Sequence, residues 1–558
     1  MVVEEIIVMA QKREQTLQQV PVAVSVITAE TLDRSQVMDM KDLQFIVPSL
    51  RVTQLQTTGN TNFIIRGFGN GANNAGIEPS VGVFVDGVYR SRSASALSDL
   101  PNLERVEVLR GPQSTLFGKN ASAGIINIVT SKPDLDNFGG STSLTLGDYN
   151  QVLVKGDITG PLTDTMAFSL SGSVNSRDGY YTNLVDGEKY GERNRWGVRG
   201  QLLLVPTDNL EFRFIADYDE IDEMCCGVAN LVDGPTGAAI RHPLVGGDLV
   251  GNSPFALKNY YDFNPENRIE NGGASMQIDY DFASSRLTSI TSYRTQSRYE
   301  NSDVDFTSAE LISVNSGDTG IDTLTQELRL TSTGGDKLDW MIGGYFFDEK
   351  VEISNVLNYG NDFREYADLL SGFNVTALET GIGLPAGTFF APGQGNFESA
   401  GQDDRAYSIF GQIDWHMTDR VTMTLGANYT TDDKDAFVNM TNTDVFSSLN
   451  FVQIGFAQIF GALTGLPPTP ANIAANPAAA AQAQALSTIP CPGTPAPACN
   501  PVLGLQPLQF LPPFLGYPNA VESGSSSDSD NQFFLPKAAG LIWFSAALLL
   551  ISSRPSSR

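Results

Sequence analysis

The chain has 558 residues, 41% of them hydrophobic, and a formal net charge of −28. That length exceeds what one ordinary hydrophobic core organises, so a division into domains is expected. No apolar run approaches the roughly 20 residues that carry a helix across a bilayer, whereas membrane strands need only alternate. A chain this acidic lacks the basic footprint of a nucleic-acid binder, and its charge is expected mainly in solvated loops.

Residues 3–10, VEEIIVMA, read as a short extended segment led by Glu4 and Glu5. Met1 runs directly into this segment without the positive and apolar regions of a secretory signal. The rest of the sequence calls for export, so a mature form or a misplaced start is expected. Residues 21–28 alternate like a strand, and residues 28–43 carry helical spacing. Residues 83–89 predict a hairpin, because Asp86-Gly87 between apolar alternations favours a type I′ turn. Further strands are expected at 106–109 and 125–130, closing a small mixed α/β unit near Pro133.

Some sequence patterns imitate nucleotide sites. Gly67-Phe68-Gly69-Asn70-Gly71-Ala72 fits the dinucleotide fingerprint, but Asn73-Asn74-Ala75-Gly76 and Pro79 follow where a helix is needed. Residues 111–120 include Gly-Lys at the wrong spacing for a phosphate loop. There is no GxSxG elbow, and His242 and His416 stand alone, without ligand spacing. Enzyme chemistry, a resident metal and a cofactor are therefore not expected.

From Ser141 the pattern changes to strict alternation. Met166, Phe168, Leu170 and Val174 interleave with serines, and Leu210, Phe212, Phe214 and Tyr218 with Glu211, Arg213 and Asp217. Met276, Ile278, Tyr280 and Phe282, and later Val421, Met423, Leu425 and Tyr429, repeat the pattern. A period of two places one set toward lipid and the other toward a wet lumen. Short turns at 160–164, 206–209, 334–336 and 418–420 alternate with polar excursions at 221–273, 352–404 and 431–532. A soluble sandwich rarely shows that asymmetry; an antiparallel transmembrane β-barrel does.

About twelve strands are expected, against about 22 in plugged transporters. The non-alternating run 540–553 with its Arg-Pro-Ser tail adds the expectation of a truncated or frame-shifted barrel, open at its C-terminal edge and unable to transport. Aromatics gather in the excursions at Tyr260, Tyr261 and Phe263 and at Phe363, Tyr366, Phe373, Phe389 and Phe390. They can stack on a large ligand or pack the loops together, and packing is favoured. The four cysteines, Cys225-Cys226 and Cys491 with Cys499, read as loop staples of an exported protein. A Cys491–Cys499 disulfide is expected, and the pairing of Cys225 and Cys226 is left open.

Three motifs occur together: NFIIRGFGNG at 62–71, VGVFVDGVY at 81–89 and LERVEVLRGPQSTLFGKNASAGIINIVTSKP at 103–133. Their order and spacing closely resemble the plug domain of TonB-dependent outer-membrane receptors. The resemblance extends from the N-terminus to about Asp435. It implies a TonB-box segment at 1–13, a plug at 14–135 and an outer-membrane barrel, incomplete at its C-terminus, at 136–558. Glu4, Glu5, Ile6, Ile7, Val8, Met9 and Ala10 would then pair with an edge strand of TonB, which works with its ExbB/ExbD motor. Arg66 and Arg110 would lock the plug to wall carboxylates, with Glu327 as an inward-facing candidate. Asn70, Asn73, Asn74, Arg90 and Arg92 would face ligand at the plug apex, although Arg90 and Arg92 also suit solvated turns.

The implied function is energy-coupled import of a scarce large ligand across the Gram-negative outer membrane. A ferric siderophore is the default ligand; cobalamin and oligosaccharides are also carried in the family. A passive porin-like channel is the rival reading, opposed by the plug and TonB-box segments, and a non-functional fragment is another.

Overall fold

The computed structural model describes residues 7–509, apart from 10, 14, 19, 21, 56, 71–74, 98–101, 229, 254, 335–336, 419–420 and 492–498, and the backbone of 526–528 and 541–543. In the plug, β1 (Ile7–Val8) pairs antiparallel with β2 (Gln15–Thr16). Next come β3 (Val24–Thr28), β4 (Leu50–Gln54), β5 (Thr61–Ile65), β6 (Val81–Val85), β7 (Val88–Arg90), β8 (Leu103–Arg110) and β9 (Gly124–Thr130). The main plug sheet has the order β3-β8-β9-β6-β7, with only β6 and β9 parallel. Its core gathers Ile27, Val83, Val106, Val108, Ile126 and Ile128, all buried.

The hairpin at Asp86-Gly87 has φ values of 48° and 77°, with Val85 opposite Val88. Positive φ at both central positions defines the primed turn. The expected helix over 28–43 is shorter: Ala29–Arg34, followed later by the turn Leu43–Ile46. Thr28 caps the first helix by accepting the Thr31 N–H. The chain then leaves helical geometry at Gln36, whose φ is 52°, and Asp42 accepts the N–H groups of Met38 and Asp39. Side-chain bonding to local backbone wins over helical periodicity here.

The wall follows the last plug strand after a short link. Its strands are β10 (Gly139–Gly147), β11 (Gln151–Thr163) and β12 (Met166–Arg177), then, after the rim strands β13 (Tyr181–Asn183) and β14 (Lys189–Tyr190), β15 (Arg193–Thr207) and β16 (Leu210–Asp222). Past the rim strand β17 (Lys258–Asn259) come β18 (Glu266–Asp281), β19 (Ser285–Asn301), β20 (Ile312–Ser332), β21 (Leu338–Tyr359), β22 (Gly395–Thr418) and β23 (Val421–Asn442). Eleven long strands form one antiparallel meander from β10 to β23. The segments Ser526–Asp528 and Leu541–Trp543 both pair with β23. The expected free C-terminal edge is thus partly met, and Leu541–Trp543 is a strand within a run read as non-alternating. Among the described residues no strand pairs with the outer edge of β10. The polar excursions are also shorter than expected, because hairpin pairing continues: Ile353↔Ala400 and Asn355↔Glu398 still face each other across β21 and β22. Pairing satisfies backbone groups whether or not the side chains are apolar.

The wall is inside-out relative to a soluble sheet. Leu170, Ile342 and Ile409 are half or more exposed, whereas Ser169, Ser171, Thr323, Thr325 and Gln412 are buried. No described helix is long and apolar enough to cross a membrane, and the strands cross instead. At the long-loop end, aromatics from separate excursions pack together: Tyr359, Phe363, Phe389, Phe390, Phe446 and Phe451 form one cluster. Tyr261 packs edge-on to Tyr190, while Phe373 stays exposed. Disulfides join Cys491 to Cys499 and Cys225 to Cys226.

Gly124 starts β9 with its α-carbon crowded: an added Cβ would lie 2.4 Å from the Leu109 carbonyl oxygen and 2.8 Å from Ile65 Cδ1. Backbone on the neighbouring strand cannot move aside without breaking the ladder. Gly124→Ala is expected to destabilise the plug by about 1–3 kcal/mol, read as a lower thermal unfolding midpoint of the purified protein in detergent.

Candidate functional site: the seam between plug and wall

The inward face of the wall presents charges in register because alternate residues share a face. Arg199 on β15 and Arg213 and Asp217 on β16 point inward, as do Arg294 on β19 and Glu327 on β20; Asp217 is partly buried and the other four are buried. The plug meets them with the turn of its β6–β7 hairpin and with its N-terminal segment. Asp86 pairs with Arg199, and its other oxygen lies 3.4 Å from Arg213. It also accepts the Thr130 N–H and hydroxyl. Burial alone would raise the Asp86 carboxyl, but Arg213 and Arg199 outweigh it and hold it below the usual carboxylate range. Arg92 reaches Glu349 at 3.0 Å, and Arg90 lies 3.7 Å from Asp217.

A second junction joins Glu78 and Lys119 of the plug to Asp404, Asp432 and Lys434 of the wall. Lys119 sits 2.9 Å from Glu78 and 2.6 Å from Asp404, and Lys434 sits 2.7 Å from Glu78. Oxygens of Glu78, Asp404 and Asp432 lie within 4.8 Å of one another, a spacing that could hold a metal ion. The two ammonium groups already stand where a cation would be needed. Burial raises the Glu78 carboxyl, and Lys119 and Lys434 together pull it far below the usual range.

The N-terminal segment is docked rather than free. Val8 is fully buried, Met9 donates its N–H to Glu107 Oε1 at 2.9 Å, and Glu107 is itself buried with Arg105 and Asn127 on its oxygens. Lys12 binds Glu327 at 2.6 Å over the rings of Phe117 and Phe410. Arg13 adds a 3.1 Å pair to Asp414.

These placements correct several sequence expectations. Glu327 does face inward, but its partners are Lys12 and Arg329. Arg66 is exposed with φ 53°, and among the described residues neither Arg66 nor Arg110 has an ion-pair partner. Arg90 and Arg92, expected at ligand or in solvent, are buried and face the wall, because β7 runs down the seam. Asn70 closes its own loop, accepting the Ser80 hydroxyl at 2.8 Å. Ile7, Val8 and Met9 are described; Glu4, Glu5, Ile6, Ala10, Asn73 and Asn74 lie outside the described residues. Asp86, Glu78, Lys12, Lys119 and Glu349 escaped sequence reasoning. Lys119 stood inside the false phosphate loop and Asp86 inside the turn motif, so each carried a local explanation that hid its distant partner.

A folded plug clamped by ion pairs to the inner face of an antiparallel membrane wall defines the class of plugged outer-membrane receptors. The family model described as TonB-dependent Receptor Plug Domain matches residues 16–125, and that described as TonB dependent receptor-like, beta-barrel matches 229–465. The chain belongs to the TonB-dependent receptor family. It is similar to the Iron-regulated outer membrane virulence protein of Vibrio cholerae, 33% identical over 195 residues, covering 31% of this chain and 28% of that protein. The Ferrioxamine B receptor of Salmonella typhimurium is 30% identical over 177 residues, covering 30% of this chain and 24% of that protein. The matches therefore span about a quarter of these curated relatives' length. Among solved structures, the ferric yersiniabactin uptake receptor FyuA from Yersinia pestis shares the fold with a TM-score of 0.62 at 20% identity, over 76% of this chain and 58% of that one. The ferripyoverdine receptor of Pseudomonas aeruginosa gives 0.58 at 17% identity, over 79% and 55%.

The charge junction at Glu78 sets a pH dependence. A carboxyl whose folded-state pKa is depressed contributes stability that is present above its unfolded value and lost as pH falls toward the folded one. The wild-type stability profile should therefore fall on the acid side of about pH 4.3, the unfolded glutamate value. Glu78→Gln should cost about 3–5 kcal/mol at neutral pH by leaving Lys119 and Lys434 undercompensated. It should also flatten that acid limb, as measured by thermal midpoints between pH 3 and pH 7 (roughly the window of carboxylate titration).

Proposed function

We propose that this chain is the plug and wall of a TonB-coupled importer in the Gram-negative outer membrane, and that its cargo is a ferric siderophore. The observation that carries this reading is the docked N-terminal strand. β1 is stowed on β2 by a short ladder and held to the wall through Lys12 and Glu327. A backbone already in extended form, with few ladder bonds to lose, suits exchange onto an edge strand of TonB. Residues 4–10 would be the strand that TonB takes, with ExbB/ExbD supplying the pull. Pulling there would strain the β1 ladder and the Met9 bond to Glu107 first, then the Lys12 and Arg13 pairs with the wall.

One curated relative supports the cargo class by name, the Ferrioxamine B receptor, and the name Iron-regulated outer membrane virulence protein adds a link to iron. The relative named Vitamin B12 transporter BtuB from Vibrio vulnificus, 28% identical over 182 residues, makes cobalamin the main competitor. Radiolabelled ferric siderophores and cyanocobalamin, offered singly to cells expressing the receptor, separate the two. Saturable, TonB-dependent uptake of a siderophore supports the reading; uptake of cobalamin alone overturns the cargo.

Ile7→Pro removes a backbone donor from β1. It should abolish uptake while leaving ligand binding to isolated membranes within about twofold, since pairing with TonB transmits force and adds no affinity for cargo. Uptake that survives this change would remove residues 4–10 from the coupling role.

Glu327→Gln should loosen the stowed strand. Lys12 is driven toward its neutral form by burial and partly restored by Glu327. With that carboxylate gone the ammonium is poorly compensated, and a spin label or cysteine probe at Val8 should become more mobile and more reactive without cargo.

A further inference from the structure

Around Arg90 the seam contains more buried positive charge than the nearby carboxylates match. Arg90, Arg199, Arg213 and Arg294 pair with Asp86 and Asp217, while Asp219, the third acid nearby, accepts from Asn271 instead; four cations thus stand beside three acids, and all seven side chains are about nine-tenths buried or more. Asp217 is already engaged by Arg294 at 2.7 Å and by Arg199 at 2.9 Å. Arg90 reaches it only at 3.7 Å, beyond hydrogen-bonding distance. Arg90 is 5% exposed, and its Nε and Nη1 have no hydrogen-bond partner among the described residues. A buried guanidinium left in that state is costly, since both its charge and its N–H groups are unsatisfied.

Beside it is a small, partly open cavity. It is lined by Tyr89, Arg90, Ser91 and Ser95 from the plug and by Arg294 and Thr323 from the wall, and it has room for a single water-sized occupant. Two guanidiniums and several hydroxyls surround it, and no carboxylate does. A water would satisfy N–H groups but leave the surplus charge. A small anion does both.

We infer that this cavity is a resident site for a monoanion of halide size, held by Arg90 and Arg294 at the seam between plug and wall. Burial, followed by the repulsion of Arg294, pushes Arg90 down to about 10, which still leaves it charged at neutral pH. The site would strengthen the seam in saline surroundings and weaken it when small anions are scarce.

The test uses the purified receptor in detergent. Thermal midpoints are measured in sodium chloride or bromide against sodium gluconate at equal ionic strength. A saturable halide-specific rise on the order of 2 °C is expected, and it should vanish in Arg90→Gln. Crystals soaked in bromide should show an anomalous peak between Arg90 and Arg294, a measurement that needs no variant if Arg90→Gln fails to fold. Equal midpoints in halide and gluconate, a halide effect retained in Arg90→Gln, or a cavity without bromide density would each overturn the site.

Discussion

Compensation of buried charge across the plug–wall seam is the constraint on which the rest of this structure depends. A polar inner wall would hydrate if left open, and its arginines and carboxylates would be free of cost. Filled by the plug, the same groups lose water and must find partners in a medium where unpaired charge is expensive. The plug therefore has to present opposite charge at matching heights. Asp86 does so from a turn, Lys119 and Glu78 from loops, and Lys12 from the N-terminal segment. Neither partner satisfies its own charges alone, so the folded plug and the folded wall stabilise each other.

The seam has two different kinds of contact. The Asp86 and Glu78 junctions tie the plug body to the wall through several ion pairs each. The N-terminal segment is tied through a two-residue strand, one N–H to Glu107, and the Lys12 and Arg13 pairs. Force applied at the N-terminus meets the weaker set first. The N-terminal segment is thus tied by fewer contacts than the body of the plug.

Much of the fold was legible because its signals are local. Period-two alternation marked β12, β16, β18 and β23, and Asp86-Gly87 marked the hairpin by the one turn geometry those residues favour. The ends of the strands were not legible: once above the lipid, side chains stop alternating while backbone pairing continues, as at Asn355↔Glu398. The short helix at Ala29–Arg34 was overestimated because Asp42 and Gln36 redirect the chain through side-chain bonds and left-handed backbone. The charge partners were least legible. Lys12 finds Glu327 across more than 300 residues, and Arg92 finds Glu349 across more than 250, a match that depends on the register of every intervening hairpin. Resemblance pointed to Arg66 and Arg110 as the lock, whereas the plug arginines that meet wall carboxylates are Arg90 and Arg92.

The length of the wall strands has a consequence for the mouth of the molecule. β22 runs for 24 residues, which at about 3.3 Å per residue is roughly 80 Å of ladder. A hydrocarbon core of about 30 Å takes up only the lower part, even with strongly tilted strands. The upper part stands free in water, and its rim is where Phe389, Phe390 and Phe446 bury one another. The aromatic rim thus stands tens of ångströms above the lipid headgroups (by the same strand arithmetic), and any contact made there is made far from the membrane surface.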